Sequence, residues 1–172
     1  MALELLPTAE LADAAGFPIA MDARIRPIWR RAQLAGPAFT VRTPPGEFQA
    51  VREAVERAPA GAVLVVDGGG ELRCALWGDK MSTLALERGL AGIVVDGAVR
   101  DVDGIEALGF PVFAAGSVPT PPARDRPGEL DIAILCGGRE VRSGDFVYGD
   151  SDGVVVVPRE RHDEIVAGVR TF

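Results

Sequence analysis

The segment Met81-Ser-Thr-Leu-Ala-Leu-Glu-Arg-Gly-Leu-Ala-Gly-Ile-Val-Val-Asp96 decides the fold class of this chain. Residues 81–88 have the composition of a helix, and Gly89 is the residue type that commonly ends one. Residues 91–96 form a short apolar run rich in β-branched side chains, which is typical of a strand buried on both faces. A helix that leads directly into a buried strand is part of a βαβ unit, so the segment predicts an α/β fold with a largely parallel sheet.

The same alternation continues on both sides of this segment. Upstream, Ala62-Val-Leu-Val-Val-Asp67 predicts a second doubly buried strand. Downstream, residues 102–108 predict a short helix and residues 111–115 a third strand. Further helices are predicted over 8–15, 48–58 and 159–169, the first with Thr8 as its N-cap, and a further strand over 38–43.

The chain changes character after Gly116. A proline-rich loop over 119–127 precedes three apolar runs, at 132–135, 146–147 and 154–157, that are separated by short Gly-, Ser- and Asp-containing turns. Turns this short leave no room for a crossover helix, so these runs predict antiparallel strands. We interpret residues 1–172 as a single domain with a parallel part and a C-terminal antiparallel part.

Composition excludes several classes of function. The chain has 172 residues, which is the usual length of one domain, and its 18 Lys+Arg against 25 Asp+Glu give a net charge of −7. A nucleic-acid-binding protein usually needs a basic face. No apolar run reaches the roughly 18 residues of a membrane span, and the N-terminus lacks the positive region of a signal peptide. We therefore expect a cytoplasmic protein that binds neither nucleic acid nor membrane, with Cys74 and Cys136 as buried thiols.

Two candidate functional segments follow the predicted parallel strands, where open α/β sheets bind their ligands. Residues 77–83 enter a helix, so free backbone N–H groups there can hold a carboxylate, and Gly78 would allow a ligand to approach closely. Residues 96–101 end in Arg100-Asp101, which combines a carboxylate clamp with a ligand for a hard metal ion.

Each candidate also has a purely structural interpretation. Asp79 is a good helix N-cap, and Arg100 with Asp101 could form a surface ion pair or cap the following helix. Asp67 and Asp96, each before a glycine, are expected to form turns, as are Asp150 and Asp152. His162 is expected to be solvated on a charged helix. The sequence contains no phosphate-binding loop, nucleophile elbow or zinc-protease motif.

The spacing of Asp79, twenty residues, then Arg100-Asp101 resembles the signature of the 4-hydroxy-4-methyl-2-oxoglutarate aldolase family. That family, called RraA-like, also includes regulators of ribonuclease E activity and proteins once labelled demethylmenaquinone methyltransferases. The resemblance covers nearly the whole chain. It extends to the segments at 34–42, 63–70, 109–114 and 149–158.

The resemblance implies an αββα sandwich of the swivelling β/β/α-domain type. It implies a homotrimer or a dimer of trimers with active sites at subunit interfaces. Asp101 would hold Mg²⁺ or Mn²⁺, with Asp79 contributing through water as a metal-site and catalytic residue. Arg100 would be catalytic and contact the keto and carboxylate oxygens of a 2-keto acid. Backbone amides over Gly78, Asp79, Lys80 and Met81 would bind the substrate carboxylate.

The reaction implied is metal-dependent, class II aldol cleavage of 4-hydroxy-4-methyl-2-oxoglutarate-type acids to pyruvate. Oxaloacetate decarboxylation would share the same pyruvate enolate. Gly104 stands where ribonuclease regulators of the family commonly have an acidic residue, and those proteins commonly have Gly at the position of Asp79, so the aldolase pattern fits better. In characterised aldolases a neighbouring subunit supplies an acidic residue. Its candidates here are Glu160, Asp163 and Glu164.

Two other hypotheses remain open at the level of the sequence. Lys80, the one lysine of the chain, could act as a Schiff-base nucleophile. Alternatively, the protein could be a non-catalytic regulator that binds a ribonuclease. A methyltransferase is not expected, because no glycine-rich cofactor loop with a following acidic ribose partner is present.

Overall fold

The structure, a computed structural model, describes residues 2–169. Within these residues the helices are α1 (Thr8–Ala15), α2 (Gln49–Arg57), α3 (Asp79–Glu87), α4 (Val102–Leu108) and α5 (His162–Val169), with a 3-10 turn at Arg159–Arg161 before α5. The strands are β1 (Arg26–Pro27), β2 (Leu34–Arg42), β3 (Val63–Ala75), β4 (Gly92–Val99), β5 (Val112–Ser117), β6 (Glu129–Leu130), β7 (Ile134–Cys136), β8 (Arg139–Val141), β9 (Phe146–Asp150) and β10 (Gly153–Val157).

The main sheet has the strand order β1-β5-β4-β3-β2-β9-β10, with β6 paired to β2. β2, β3, β4 and β5 are parallel neighbours. β9 and β10 form an antiparallel hairpin. β2 joins the two parts, because its first residues pair with β9 and its later residues pair with β3. The predicted parallel core with antiparallel C-terminal strands is confirmed, and the αββα sandwich assignment stays a prediction.

The central strand β3 is buried on both faces, as its apolar run predicts. Leu64 and Val66 pack into the cluster that faces α2, α3 and α4. Val63 and Val65 pack into the cluster on the opposite face. All four side chains are fully buried, which at roughly 1.5–3 kcal/mol for each large apolar side chain makes this strand a major source of stability.

Three local predictions are wrong because distant contacts override local preference. Thr8 is the first residue of α1 rather than its N-cap, since its amide and hydroxyl both donate to the Asp150 carboxylate. Asp96 lies inside β4 instead of a turn, because Arg24 and the Gly137 amide bind its carboxylate. β3 continues through two bulges past its predicted end at Asp67.

Two predictions about single side chains are also wrong. The side chain of His162 is 11% exposed rather than solvated, because its ring stacks on Phe146 and its Nε2 lies 2.8 Å from the Tyr148 hydroxyl. Cys74 is half-buried, whereas Cys136 is fully buried as expected. Burial raises the pKa of both thiols. Both cysteines are free.

The hairpin turn expected around Asp150 is confirmed. β9 ends at Asp150, and the carboxylate of that residue accepts a hydrogen bond from the Asp152 amide at 2.9 Å. Among residues 2–169, no helix combines the length and apolar character needed to span a bilayer.

Candidate active site

The two candidate segments lie side by side because β3 and β4 are adjacent parallel strands. Hydrogen bonds continue past the ends of these strands, with the Arg100 amide donating to the Trp77 carbonyl at 2.9 Å. The Asp79 amide then donates to Oδ2 of Asp101 at 3.2 Å. The sheet itself therefore sets the distance between the two segments, although twenty residues separate Asp79 from Arg100 in sequence.

Two hydrogen bonds that share the Ser82 hydroxyl fix the loop that leads into α3. Nε1 of Trp77 donates to Oγ of Ser82 at 2.8 Å, and that hydroxyl donates to the Gly78 carbonyl at 3.0 Å. The Trp77 ring is buried and stacks on Phe110 with ring centroids 6.0 Å apart. The sequence analysis did not predict these hydrogen bonds. The local feature that could have indicated them is a bulky aromatic residue directly before a glycine at the start of a helix.

Gly78 makes room for the carboxylate of Asp101. Its φ of −157° is ordinary extended backbone, so the requirement for glycine does not come from its dihedral angles. A Cβ placed on Gly78 would overlap Oδ2 of Asp101. Asp101 has a left-handed φ of 58° and directly precedes α4, which turns its side chain back toward this glycine.

The six predicted site residues line one open cleft of about 610 Å³, together with Arg52, Arg124, Phe48 and other residues. The six are Gly78, Asp79, Lys80, Met81, Arg100 and Asp101. The cleft combines four basic side chains with two carboxylates and an apolar wall that includes Phe48 and Trp77. This combination suits an anionic ligand with a carbon skeleton. The individual catalytic and binding roles stay predictions.

The start of α3 offers two backbone amides to an anion. The Asp79 amide already donates to Asp101, and the Ser82 amide donates to the Gly78 carbonyl. Within residues 2–169, the amides of Lys80 and Met81 have no acceptor. Free N–H groups in the first turn of a helix favour a negative charge, so these two amides are the available seat for a carboxylate.

Asp101 and Asp79 fit a magnesium-type cation. Among the described residues, both polar contacts of the Asp101 carboxylate use Oδ2, at 3.2 Å from the Asp79 amide and 4.0 Å from Nε of Arg100. Its other oxygen is left for a ligand. The part of the chain that the structure describes contains no cluster of three or more His, Cys, Asp or Glu that could hold a metal. Mg²⁺ is commonly bound through one or two carboxylates, with water and substrate oxygens completing its shell.

Gly104, on α4, packs closely against the side chain of Asp79. A Cβ on Gly104 would lie 3.1 Å from Oδ2 of Asp79 and 3.2 Å from its Cβ. A side chain at position 104 would therefore crowd Asp79. The sequence observation that Asp79 occurs together with Gly104 thus has a steric basis.

The three acidic candidates near the C-terminus do not line this cleft. Glu164 is bound to Arg161 at 2.6 Å, and Asp163 lies 3.2 Å from Nδ1 of His162. Among the described residues, the Glu160 side chain forms no hydrogen bond and no ion pair. Within residues 2–169 of a single chain, then, none of these three carboxylates completes the site.

A family model for RraA-like proteins, described as Aldolase/RraA, matches residues 8–156. The chain belongs to the RraA-like family. One relative, from Halalkalibacterium halodurans, carries the name "Putative 4-hydroxy-4-methyl-2-oxoglutarate aldolase" and is 35% identical over 161 residues, which cover 94% of this chain and 77% of the relative.

Two solved structures that are similar to this chain agree with its fold. The RNA-processing inhibitor RraA of Thermus thermophilis is 35% identical with a TM-score of 0.82, over 90% of this chain and 94% of that one. A protein of Geobacillus kaustophilus described as an S-adenosylmethionine: 2-dimethylmenaquinone methyltransferase is 36% identical with a TM-score of 0.82, over 90% and 96% of the two chains. The family therefore carries both enzyme and regulator names.

Proposed function

We propose that this protein is a metal-dependent, class II aldolase that cleaves 4-hydroxy-4-methyl-2-oxoglutarate-type 2-keto acids to pyruvate and also decarboxylates oxaloacetate. The observation that carries the proposal is the meeting of Asp79, Arg100 and Asp101 in one cleft with two free amides of α3. The name of the relative from Halalkalibacterium halodurans supports the same reaction class.

The chemistry follows from where negative charge appears. Aldol cleavage removes the proton of the C4 hydroxyl and breaks the C3–C4 bond. The electron pair of that bond moves into an enolate that extends over C3, C2 and the keto oxygen, and protonation at C3 then gives pyruvate. In decarboxylation, CO2 leaves instead of an aldehyde or ketone. Both reactions therefore need donors aimed at the same oxygen.

The polar groups of the candidate site each have a proposed task in this scheme. The amides of Lys80 and Met81 would bind the C1 carboxylate, and the Arg100 guanidinium would donate to the keto oxygen and carboxylate. Asp101, with Asp79 acting through water, would bind Mg²⁺ or Mn²⁺, and a divalent cation there would supply Lewis-acid stabilisation of the enolate charge.

The two reactions differ in their need for a base. Aldol cleavage requires a group that accepts the proton of the C4 hydroxyl, whereas decarboxylation does not. We propose that a tail carboxylate of a neighbouring subunit, from Glu160, Asp163 or Glu164, accepts this proton. This arrangement requires an oligomer, and the family resemblance implies a homotrimer or a dimer of trimers built from αββα domains.

A coupled assay of pyruvate release tests the proposal. We expect Mg²⁺-dependent turnover of oxaloacetate above the rate without enzyme, its loss in EDTA, and a decrease of about 10²–10³-fold in kcat for Asp101→Ala. Turnover that is unaffected by EDTA, or by loss of the Asp101 carboxylate, would refute the metal-dependent mechanism.

A role as a ribonuclease regulator is a second candidate, favoured by the similarity to the RNA-processing inhibitor of Thermus thermophilis. A pull-down against a degradosome endonuclease tests it. Capture of the endonuclease, combined with no pyruvate release in the assay above, would favour the regulatory role over the aldolase. The Schiff-base alternative is disfavoured because the Lys80 side chain is exposed, whereas nucleophilic lysines are usually desolvated.

A further inference from the structure

The cleft has a second basic region beyond the residues proposed for the reacting carbons. Arg124, from the loop that follows β5, and Arg52, on α2, line the same cleft as Arg100 and Asp101. Arg52 has a carboxylate partner, since its Nε lies 3.9 Å from Glu56. Arg124 makes no ion pair with any residue between 2 and 169, so its charge is available to a ligand.

The position of Arg124 is set by an aromatic ring. Its guanidinium carbon lies 5.3 Å from the centroid of the buried Phe48 ring, which is the geometry of a cation–π contact. Such a contact restricts a long side chain that would otherwise have many rotamers. A guanidinium held this way loses less freedom when it binds a carboxylate.

The backbone on both sides of Arg124 is also fixed. Its carbonyl accepts a hydrogen bond from the Gln49 side chain at 2.7 Å. The next two amides, of Asp125 and Arg126, donate to the buried Glu47 carboxylate at 2.9 and 3.1 Å. The Arg126 amide, followed by that of Asp125 and the Arg126 side chain, holds the pKa of Glu47 below its usual value, so the anchor stays ionised.

The cleft carries more positive charge than a single substrate carboxylate would neutralise. Four basic side chains and two carboxylates line it, for a net charge of +2, and a divalent cation on Asp101 would raise that value further. Its volume of about 610 Å³ is in the range that holds ligands much larger than pyruvate. A 2-keto acid with a second carboxylate would match both the charge and the space.

We propose that Arg124, assisted by Arg52, binds the distal carboxylate of a dicarboxylic 2-keto acid and thereby selects dianionic over monoanionic substrates. This inference rests on the proposed function for the position of the 2-keto end. It assigns the remote end of the substrate to residues outside the Asp79, Arg100 and Asp101 group.

Binding of two matched probes separates this inference from the proposed reaction. 2-Oxoglutarate and 2-oxovalerate have the same five-carbon 2-keto chain and differ in carrying a carboxylate or a methyl group at the far end. Isothermal titration with Mg²⁺ present should give a Kd at least about tenfold lower for 2-oxoglutarate, as expected for a charge-assisted hydrogen bond. Arg124→Met should remove that preference without weakening 2-oxovalerate, and Arg124→Lys should keep part of it.

Arg57→Met is the matched control. Arg57 lies on the same helix as Arg52, pairs with Glu53 at 3.0 Å, and is outside the cleft, so its loss changes the net charge equally without touching the site. This variant should keep the wild-type preference. Equal affinities in the wild type, or a preference that survives Arg124→Met, would overturn the inference.

The titrations and the pyruvate-release assay together distinguish failure of the distal site from failure of the proposed reaction. If the wild type prefers 2-oxoglutarate and Arg124→Met abolishes the preference, but no pyruvate is released from any substrate, the carboxylate site stands and the proposed reaction fails. If pyruvate is released with no dependence on Arg124, the reaction stands and the distal site fails. If both proposals hold, Arg124→Met raises the KM for cleavage of 4-hydroxy-2-oxoglutarate but not for cleavage of 4-hydroxy-2-oxopentanoate.

Discussion

Space, rather than charge, is the requirement at position 78. The Asp101 carboxylate occupies the volume that a Cβ on residue 78 would fill, and the Asp79 amide fixes it there at 3.2 Å. A ligand-binding role for Gly78 was the natural interpretation from sequence, because the neighbouring carboxylate is twenty-three residues away along the chain. The structure adds that Gly78 positions the proposed metal ligand.

Gly78→Ala should therefore displace Asp101 without unfolding the protein. We expect kcat to decrease by about 10²-fold, since a shift of about 1 Å in a catalytic group can have that effect, and the Mg²⁺ concentration for half-maximal activity to rise. Gly116→Ala is the control, because its new Cβ would meet Leu72 at an ordinary 3.6 Å. Normal Mg²⁺ dependence in Gly78→Ala would contradict the steric argument.

At position 104, helix propensity and the geometry of the site make opposite demands. Alanine is more favourable than glycine inside a helix by up to about 1 kcal/mol, yet a Cβ there would lie 3.1 Å from Oδ2 of Asp79. Gly104→Ala should therefore keep or raise the free energy of unfolding while lowering kcat several-fold. In an Asp79→Ala background the loss of activity should disappear, which a double-mutant cycle measures. An equal loss in both backgrounds would show that the two residues are not coupled.

At the scale of elements, the buried strands were predictable and the segment before β2 was not. β3 and β4 carry unbroken apolar runs because both of their faces are covered, and this pattern is visible locally. Residues 17–33 have no such period. Their position depends on partners far along the chain, such as Asp96 for Arg24 and the Gly137 carbonyl for the Asp22 amide.

The Arg24–Asp96 pair links this irregular segment to the middle of β4. Burial alone would raise the pKa of Asp96, but hydrogen bonds from Arg24 and the Gly137 amide outweigh it, so the pKa lies below its usual value. A lowered pKa in the folded state stabilises the protein above the unfolded value of about 3.9, and this contribution is lost as the pH falls through the lower, folded pKa.

Asp96→Asn should accordingly lower the free energy of unfolding at pH 7 by about 1–3 kcal/mol, because the Arg24 guanidinium loses its charged partner. The difference from the wild type should shrink at pH 3, which lies below the unfolded-state pKa of about 3.9, because the unfolded carboxyl then binds a proton that the folded state excludes. Urea denaturation at the two pH values measures this. Asp13→Asn, at an exposed position of α1, serves as the control, and a pH-independent difference for Asp96→Asn would contradict the electrostatic origin.

For the whole molecule, the sequence was most informative where local pattern and family resemblance coincided. The Asp79 to Arg100-Asp101 spacing predicted one site, and these residues do line one cleft. It could not predict Arg124 as a lining residue, since a loop of Pro and Arg has no period and its place depends on Glu47, Phe48 and Gln49. Nor could it predict that the tail acids lie outside the cleft of their own chain.

This separation of cleft and tail leads to a prediction about assembly. If a neighbouring subunit supplies the base, Glu160→Gln, Asp163→Asn or Glu164→Gln should lower aldol cleavage by about 10²-fold or more while largely preserving oxaloacetate decarboxylation, which needs no base. Asp101→Asn should lower both reactions. Glu160→Gln is the first variant to make, because the other two acids already bind Arg161 and His162.

Mixing two inactive variants then tests whether the site is shared. In a cyclic oligomer, random assembly of equal amounts of Asp101→Asn and the inactive tail variant joins an intact cleft to an intact tail at about one quarter of the sites. Aldol cleavage should recover to about that fraction after the mixture is unfolded and refolded together. It should not recover when the two variants are refolded separately. Failure to recover in verified mixed oligomers would mean that each chain builds its site alone, and the base would then have to be sought among the cleft residues themselves, with Asp79 first.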